Sequence, residues 1–171
     1  MEKKQLAIES RKLFFKALGR CVYAKKQKVK PVELIDGLYL GSRFDIKKIE
    51  ELSIRKVVNL NQKIKYPKCV EDVYFIRSLD LPSFNMAKFF DSAFDYINRA
   101  LENGEKVLVH CYGGISRSAT ICAAFLIRKM GWSADKTIEY IQERRCKALP
   151  NPGFIKQLLS YQSKLQKESK S

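Results

Sequence analysis

Between Lys106 and Gly131 the chain reads KVLVHCYGGISRSATICAAFLIRKMG: an apolar strand, then His110 (the only histidine), Cys111, a glycine turn and Arg117, then a long apolar helix. A loop that merely joined the strand to the helix would need neither Cys111 nor Arg117. Gly113 and Gly114 allow the backbone to curl, so that the N–H groups of Tyr112, Gly113, Gly114, Ile115 and Ser116 can converge on one anion. The helix that follows adds its positive N-terminal end to the same point. Arg117 offers a planar fork of donors for two oxygens of a tetrahedral oxyanion. The pattern predicts a preformed phosphate cradle.

A cysteine within such a cradle is favoured as thiolate, because helix N-termini and cations stabilise the anion. A thiolate aimed at a bound phosphate is a nucleophile for phosphoryl transfer. Cys111 is therefore the expected nucleophile of a phosphate-ester hydrolysis that passes through a phosphocysteine. His110 is expected to fix Cys111 from behind the loop, through backbone hydrogen bonding, rather than to shuttle a proton.

Expulsion of the alcohol or phenol needs a proton donor. Asp72 and Asp80 are the upstream candidates. Asp72 precedes the apolar run VYFIRSL and would emerge at the wrong end of a parallel sheet. Asp80 follows that run, on the edge that carries Cys111, and is the expected acid. Ser118 can donate a hydrogen bond to the thiolate as it leaves, or cap the helix, or do both. Tyr112 lines the cleft or is simply exposed. Cys69, Cys122 and Cys146 read as small core or surface residues. With one histidine and no paired cysteine motif, the sequence shows no metal-ligand spacing, and neither metal nor cofactor is expected.

The His-Cys-x5-Arg pattern followed by Ser118 resembles the cysteine-based protein tyrosine phosphatases. HCYGGISRSAT is similar to the dual-specificity phosphatases, above all to catalytic domains of the MAP-kinase-phosphatase type, in a small atypical form. GLYLGS and NPGF match the same family, so the resemblance spans roughly Pro31 to Gln166. It implies the protein tyrosine phosphatase fold, an acid at the Asp80 position, and a cleft shallow enough for phosphoserine and phosphothreonine as well as phosphotyrosine. The implied partners are phosphorylated proteins, a MAP kinase among the candidates. The separate docking domain of the larger MAP-kinase phosphatases does not fit into 30 residues. Some relatives act instead on phosphoinositides or on the 5′ end of RNA, and a docking module with incidental turnover is a further alternative.

These residues need a scaffold, and the pattern from Pro31 onward is α/β. VELIDGLYLGS holds two short strands about Asp36-Gly37. FDIKKIEELSI reads as helical, KVVNLN and VYFIRSL as strands, MAKFFDSAFDYINRALENG as a long helix, and KVLVH as a central strand. Three helices follow, starting near Ser118, Ser133 and Pro152. The expectation is a mostly parallel twisted sheet of about five strands with helices on both faces.

Residues 1–30 read as an amphipathic helix with a Phe14, Ala17, Leu18 and Cys21 stripe, followed by a basic connector of Lys25, Lys26, Lys28 and Lys30. This helix packs on the domain or on a second copy, lies on an anionic membrane surface, or docks an acidic partner. Residues 31–166 form the catalytic domain, and 167–171 a frayed tail.

At 171 residues, 46% hydrophobic and 30% charged, the chain suits one soluble domain. No apolar run reaches the roughly 20 residues needed to span a bilayer. The basic start lacks a signal-peptide core, and five irregularly spaced cysteines do not make a disulfide framework. A reducing compartment, cytoplasmic and also nuclear, is expected. The net charge of +15 calls for an anionic partner. A phosphoprotein is the first choice, and nucleic acid is not expected.

Overall fold

A computed structural model describes residues 3–23 and 30–169. Five strands form one sheet in the order β1-β2-β5-β3-β4. They are β1 (Val32–Ile35), β2 (Leu38–Ser42), β3 (Ile54–Asn59), β4 (Asp72–Phe75) and β5 (Lys106–Cys111). β1 and β2 are an antiparallel hairpin turned at Gly37, whose φ of 79° suits glycine. All other pairings are parallel, which gives the expected mostly parallel sheet. The central strand β5 pairs on both sides, so its apolar residues are buried throughout.

The α-helices are α1 (Lys3–Tyr23), α2 (Phe90–Glu102), α3 (Arg117–Met130), α4 (Ala134–Arg144) and α5 (Pro152–Glu168). Alternation along β5 sorts its side chains between two cores. Val107, Val109 and Cys111 join the large cluster with Ala119, Ile121 and Phe125 of α3 and Phe154 and Leu158 of α5. Leu108 faces the opposite side, with Tyr39, Ile49, Ile54 and Val57. On that side the expected helix over FDIKKIEELSI is a short 3-10 helix, Arg43–Lys48, running into turns. Ser42 and Asp45 cap it reciprocally.

The N-terminal helix lies on α4 and α5. Leu13 and Ala17 are buried, while Phe14, Leu18 and Cys21 are only partly covered, so the buried stripe is displaced from the expected one. Polar contacts fasten it. Arg20 Nε donates to Gln142 Oε1 at 2.7 Å, Gln142 Nε2 donates to the Ala17 carbonyl at 3.0 Å, and Lys16 pairs with Asp135. Packing on its own domain is thus the use the structure shows. Lys25, Lys26 and Lys28 of the connector lie outside the described residues. α5 runs through Lys167 to Glu168, two residues into the stretch expected to fray. No helix among the described residues is long and apolar enough to cross a membrane.

Candidate active site

Parallel register decides which residues can meet. Phe75 stands opposite Asn59, and Asn59 opposite His110, so the carboxyl ends of β4, β3 and β5 share one edge. Asp80 follows β4 at that edge. Asp72 begins β4 beside Lys56, at the other end of the sheet, as strand polarity requires.

Cys111 ends β5 and is buried, and Arg117 opens α3. The Cys111 Sγ accepts hydrogen bonds from the Gly114 N–H at 3.3 Å and from Ser118 Oγ at 3.2 Å. Both donors stabilise an anionic sulfur. Of the two adjacent glycines only Gly114 is left-handed, with φ 64°. A Cβ there would also overlap Arg145 Nη2 and lie 2.6 Å from the Gly41 carbonyl oxygen. Ser118 is not the helix cap: that position belongs to Ser116, which makes no capping bond. The Ser116 hydroxyl donates instead to Asp80 Oδ1 at 2.7 Å.

Arg117 is anchored through Nη1, which donates to the carbonyls of Leu60 at 3.0 Å and Ser78 at 3.4 Å. Its Nε is buried without a hydrogen-bond acceptor, and Asp80 Oδ2 lies 3.8 Å away. A buried donor left unmatched is costly, and an oxyanion in the cradle would satisfy it. Asp80 is held on a second side by Asn151, whose Nδ2 donates to Oδ1 at 2.9 Å. Asn151 also caps α5 through Oδ1, and its N–H donates to Ser116 Oγ at 3.1 Å. Gly153 lies so close to Pro82 that a Cβ would collide with the Pro82 carbonyl.

His110 points away from Cys111, as alternation requires. Its Nε2 sits 2.7 Å from the Tyr66 hydroxyl, and Nδ1 lies 3.4 Å from the Cys111 carbonyl oxygen. Burial, opposed only in part by the Cys111 carbonyl and Asp45, pulls its pKa down to about 4. It is neutral at neutral pH. Tyr112 is exposed at the rim, edge-on to Phe44 with Arg43 over both rings. Ile115 is exposed as well. Cys122 and Cys146 are buried and Cys69 half-buried; burial pushes the Cys122 thiol up and keeps it inert.

The dual specificity phosphatase catalytic-domain profile matches residues 38–164. The chain belongs to the dual specificity phosphatase family. Its resemblance extends to Protein phosphatase Slingshot of Drosophila melanogaster, 35% identical over 79% of this chain and 13% of that protein. Dual specificity protein phosphatase 1B of Arabidopsis thaliana is 33% identical over 78% of this chain and 83% of that one. The structure of human DUSP28 superposes with a TM-score of 0.74 at 27% identity, covering 80% of this chain and 99% of that one. The chain thus spans a small part of some dual specificity phosphatases and most of others.

Several residues behind the Cys111–Arg117 loop were not legible as part of the site. Arg145 is buried and reaches three carbonyls: Nε to Gly114 at 2.8 Å, Nη2 to Gly113 at 3.1 Å and Nη1 to Lys30 at 2.8 Å. Asp45 lies 3.8 Å from it and accepts from the Ser42 N–H and hydroxyl. Burial lowers the Arg145 pKa, and Asp45 is the chief group opposing that shift. For Asn151 and Gly153 a signal was present, since NPGF resembles the family's pattern and its Asn-Pro pair starts a helix. Their contacts with the Asp80 loop were not.

Proposed function

We propose that the chain is a protein phosphatase acting on phosphotyrosine and on phosphoserine or phosphothreonine through a phosphocysteine. The observation that carries this is the convergence of Cys111, Arg117 and Asp80 on one cradle, each held by its own set of hydrogen bonds. The Cys111 thiolate attacks phosphorus while the phosphate–ester bond breaks, and Asp80 protonates the departing oxygen. Arg117 and the loop N–H groups carry the charge of the equatorial oxygens. Water then attacks the phosphocysteine, Asp80 takes its proton, and the S–P bond breaks. Ser118, 3.2 Å from Sγ, donates to the leaving thiolate.

Dual specificity is supported by the exposed rim of Tyr112 and Ile115, which leaves the loop approachable by short and long phosphorylated side chains. The absence of lysine from residues 112–116 favours protein over phosphoinositide substrates. The working compartment is one where thiols stay reduced. A MAP kinase is one candidate among phosphorylated substrates.

Wild type and Cys111→Ser are to be compared on phosphotyrosine and phosphothreonine peptides. Wild type turns over both, and the variant turns over neither while still binding vanadate. Substantial residual turnover in the variant would remove the cysteine mechanism. Genetic complementation by Cys111→Ser equal to that of wild type would instead favour a docking module.

A further inference from the structure

Beside the cradle, at the carboxyl ends of β3 and β4, runs a groove of about 440 Å³ that Arg117 shares with Asn61, Gln62, Lys63, Arg77 and Leu79. One of its lining residues, Ser78, also anchors the clamp. Arg117 Nη1 donates to the carbonyls of Leu60 and Ser78, and Ser78 Oγ donates to Leu60 as well, at 3.1 Å. One wall is fixed by Asn59, whose Oδ1 accepts from the Asn61 N–H at 2.8 Å and whose Nδ2 donates to the Gln62 carbonyl at 3.1 Å. The groove thus adjoins the proposed phosphate site through Arg117.

Three of its polar side chains lack partners within the described protein. Asn61 Nδ2 is buried with no hydrogen-bond acceptor. Lys63 and Arg77 are exposed and form no ion pair among the described residues. Residues 61–69 hold three lysines (Lys63, Lys65 and Lys68) and no acid. Neighbouring basic residues behave otherwise. Arg55 pairs with Glu71, and Lys56 with Glu71 and Glu105. Water satisfies the exposed cations, but it does not reach the buried Asn61 amide, and this orphaned donor lines a groove that opens onto Arg117.

The structure assigns this groove as a subsite for an anionic side chain, carboxylate or phosphate, flanking the phosphoresidue of a peptide substrate. Lys63 and Arg77 supply the charge and Asn61 a directional donor. The assignment rests on the phosphatase reading of the adjoining site. An extended peptide advances about 3.3 Å per residue, so a residue one or two positions from the phosphoresidue held at Arg117 reaches the groove.

The test is a panel of phosphotyrosine peptides with neutral residues, glutamate, lysine or a non-hydrolysable phosphonate at the two positions on either side. The kcat/KM ratio of acidic to neutral peptide is read on a single enzyme preparation, so partial misfolding cancels. Wild type is expected to favour the acidic flank roughly 3–30-fold, as two exposed charge contacts permit, and high salt should erode the preference. In Lys63→Glu/Arg77→Glu the preference should invert towards the lysine flank. The glutamate and phosphonate members separate the two sources of the anion, and a gain with either supports the subsite. Equal turnover of all flanks by wild type, or a ratio untouched by the charge reversal, overturns the subsite and leaves the phosphatase reading standing. Phosphatidylinositol phosphate in phosphatidylcholine vesicles turned over faster than every peptide overturns the peptide assignment. Failure on all phosphopeptides removes the protein-phosphatase reading as well.

Discussion

Arg145 Nε donates to the Gly114 carbonyl at 2.8 Å, so a side chain from the end of α4 holds the one left-handed residue of the cradle in place. The same guanidinium reaches the Gly113 and Lys30 carbonyls and lies 3.8 Å from the buried Asp45. The Gly113 and Gly114 carbonyls are bound from outside the loop, while the Gly114 N–H turns to the Cys111 Sγ.

Arg145→Met should therefore be severe. It frees three carbonyls and strands a buried carboxylate, a loss of about 3–5 kcal/mol by comparison with other broken buried pairs. Adding Asp45→Asn should recover part of that loss, because the uncompensated charge is gone. Denaturant unfolding of both single variants and the double variant checks this. Simple additivity would show that the two residues are not coupled.

Asp80→Asn should slow hydrolysis of phosphotyrosine or phosphothreonine by roughly 10²–10⁴-fold, the usual worth of general acid–base help. With an aryl phosphate whose leaving group departs unprotonated, the loss should be much smaller. Asp72→Asn should have little effect on either substrate, since Asp72 lies at the far end of β4. Steady-state kinetics on the two substrate types separates the outcomes, and a large leaving-group-dependent loss in the Asp72 variant would contradict the assignment.

Gly153→Ala reaches the proposed acid, Asp80, without altering a titratable group. The added methyl meets the Pro82 carbonyl, two residues after Asp80, and must displace the acid loop or the start of α5. The expected signature is a leaving-group-dependent fall in kcat like that of Asp80→Asn, with alkylation of Cys111 by iodoacetate unchanged. A uniform loss on all substrates would point to general unfolding instead.

His110 makes stability depend on pH. Its pKa is depressed from 6.5 to about 4 on folding, so between these values the unfolded state binds a proton that the folded state does not. Stability is retained above about pH 6.5 and falls as pH drops towards 4, by at most about 3 kcal/mol. His110→Gln should flatten this slope, measured as the change in denaturation midpoint between pH 7.5 and pH 5.5 (working values at about one unit either side of the unfolded pKa). An unchanged slope would mean that His110 is not the group responsible.

The proposed chemistry could be argued from the chain because its parts are local. Cys111 to Ser118 is one contiguous turn, and its residue types specify a cradle and a nucleophile with no need of distant partners. Strand polarity extended that reading to Asp80, since in a parallel sheet every carboxyl end lies on one edge. The strands were readable from their period and β-branched content, although the helix expected over FDIKKIEELSI became a 3-10 helix capped by Ser42 and Asp45. The unpaired donors beside the cradle and the grip of Arg145 on it were decided by tertiary structure alone. Arg145 lies 31 residues from Gly114 in the chain, and only the packing of α4 against α3 brings them together. Ser118 shows the same division. Its hydroxyl could have capped a helix or met a thiolate, and the helix start at Arg117 turned it towards Cys111. A residue's type states which bonds it can make, and the fold, by setting distance and direction, selects among them.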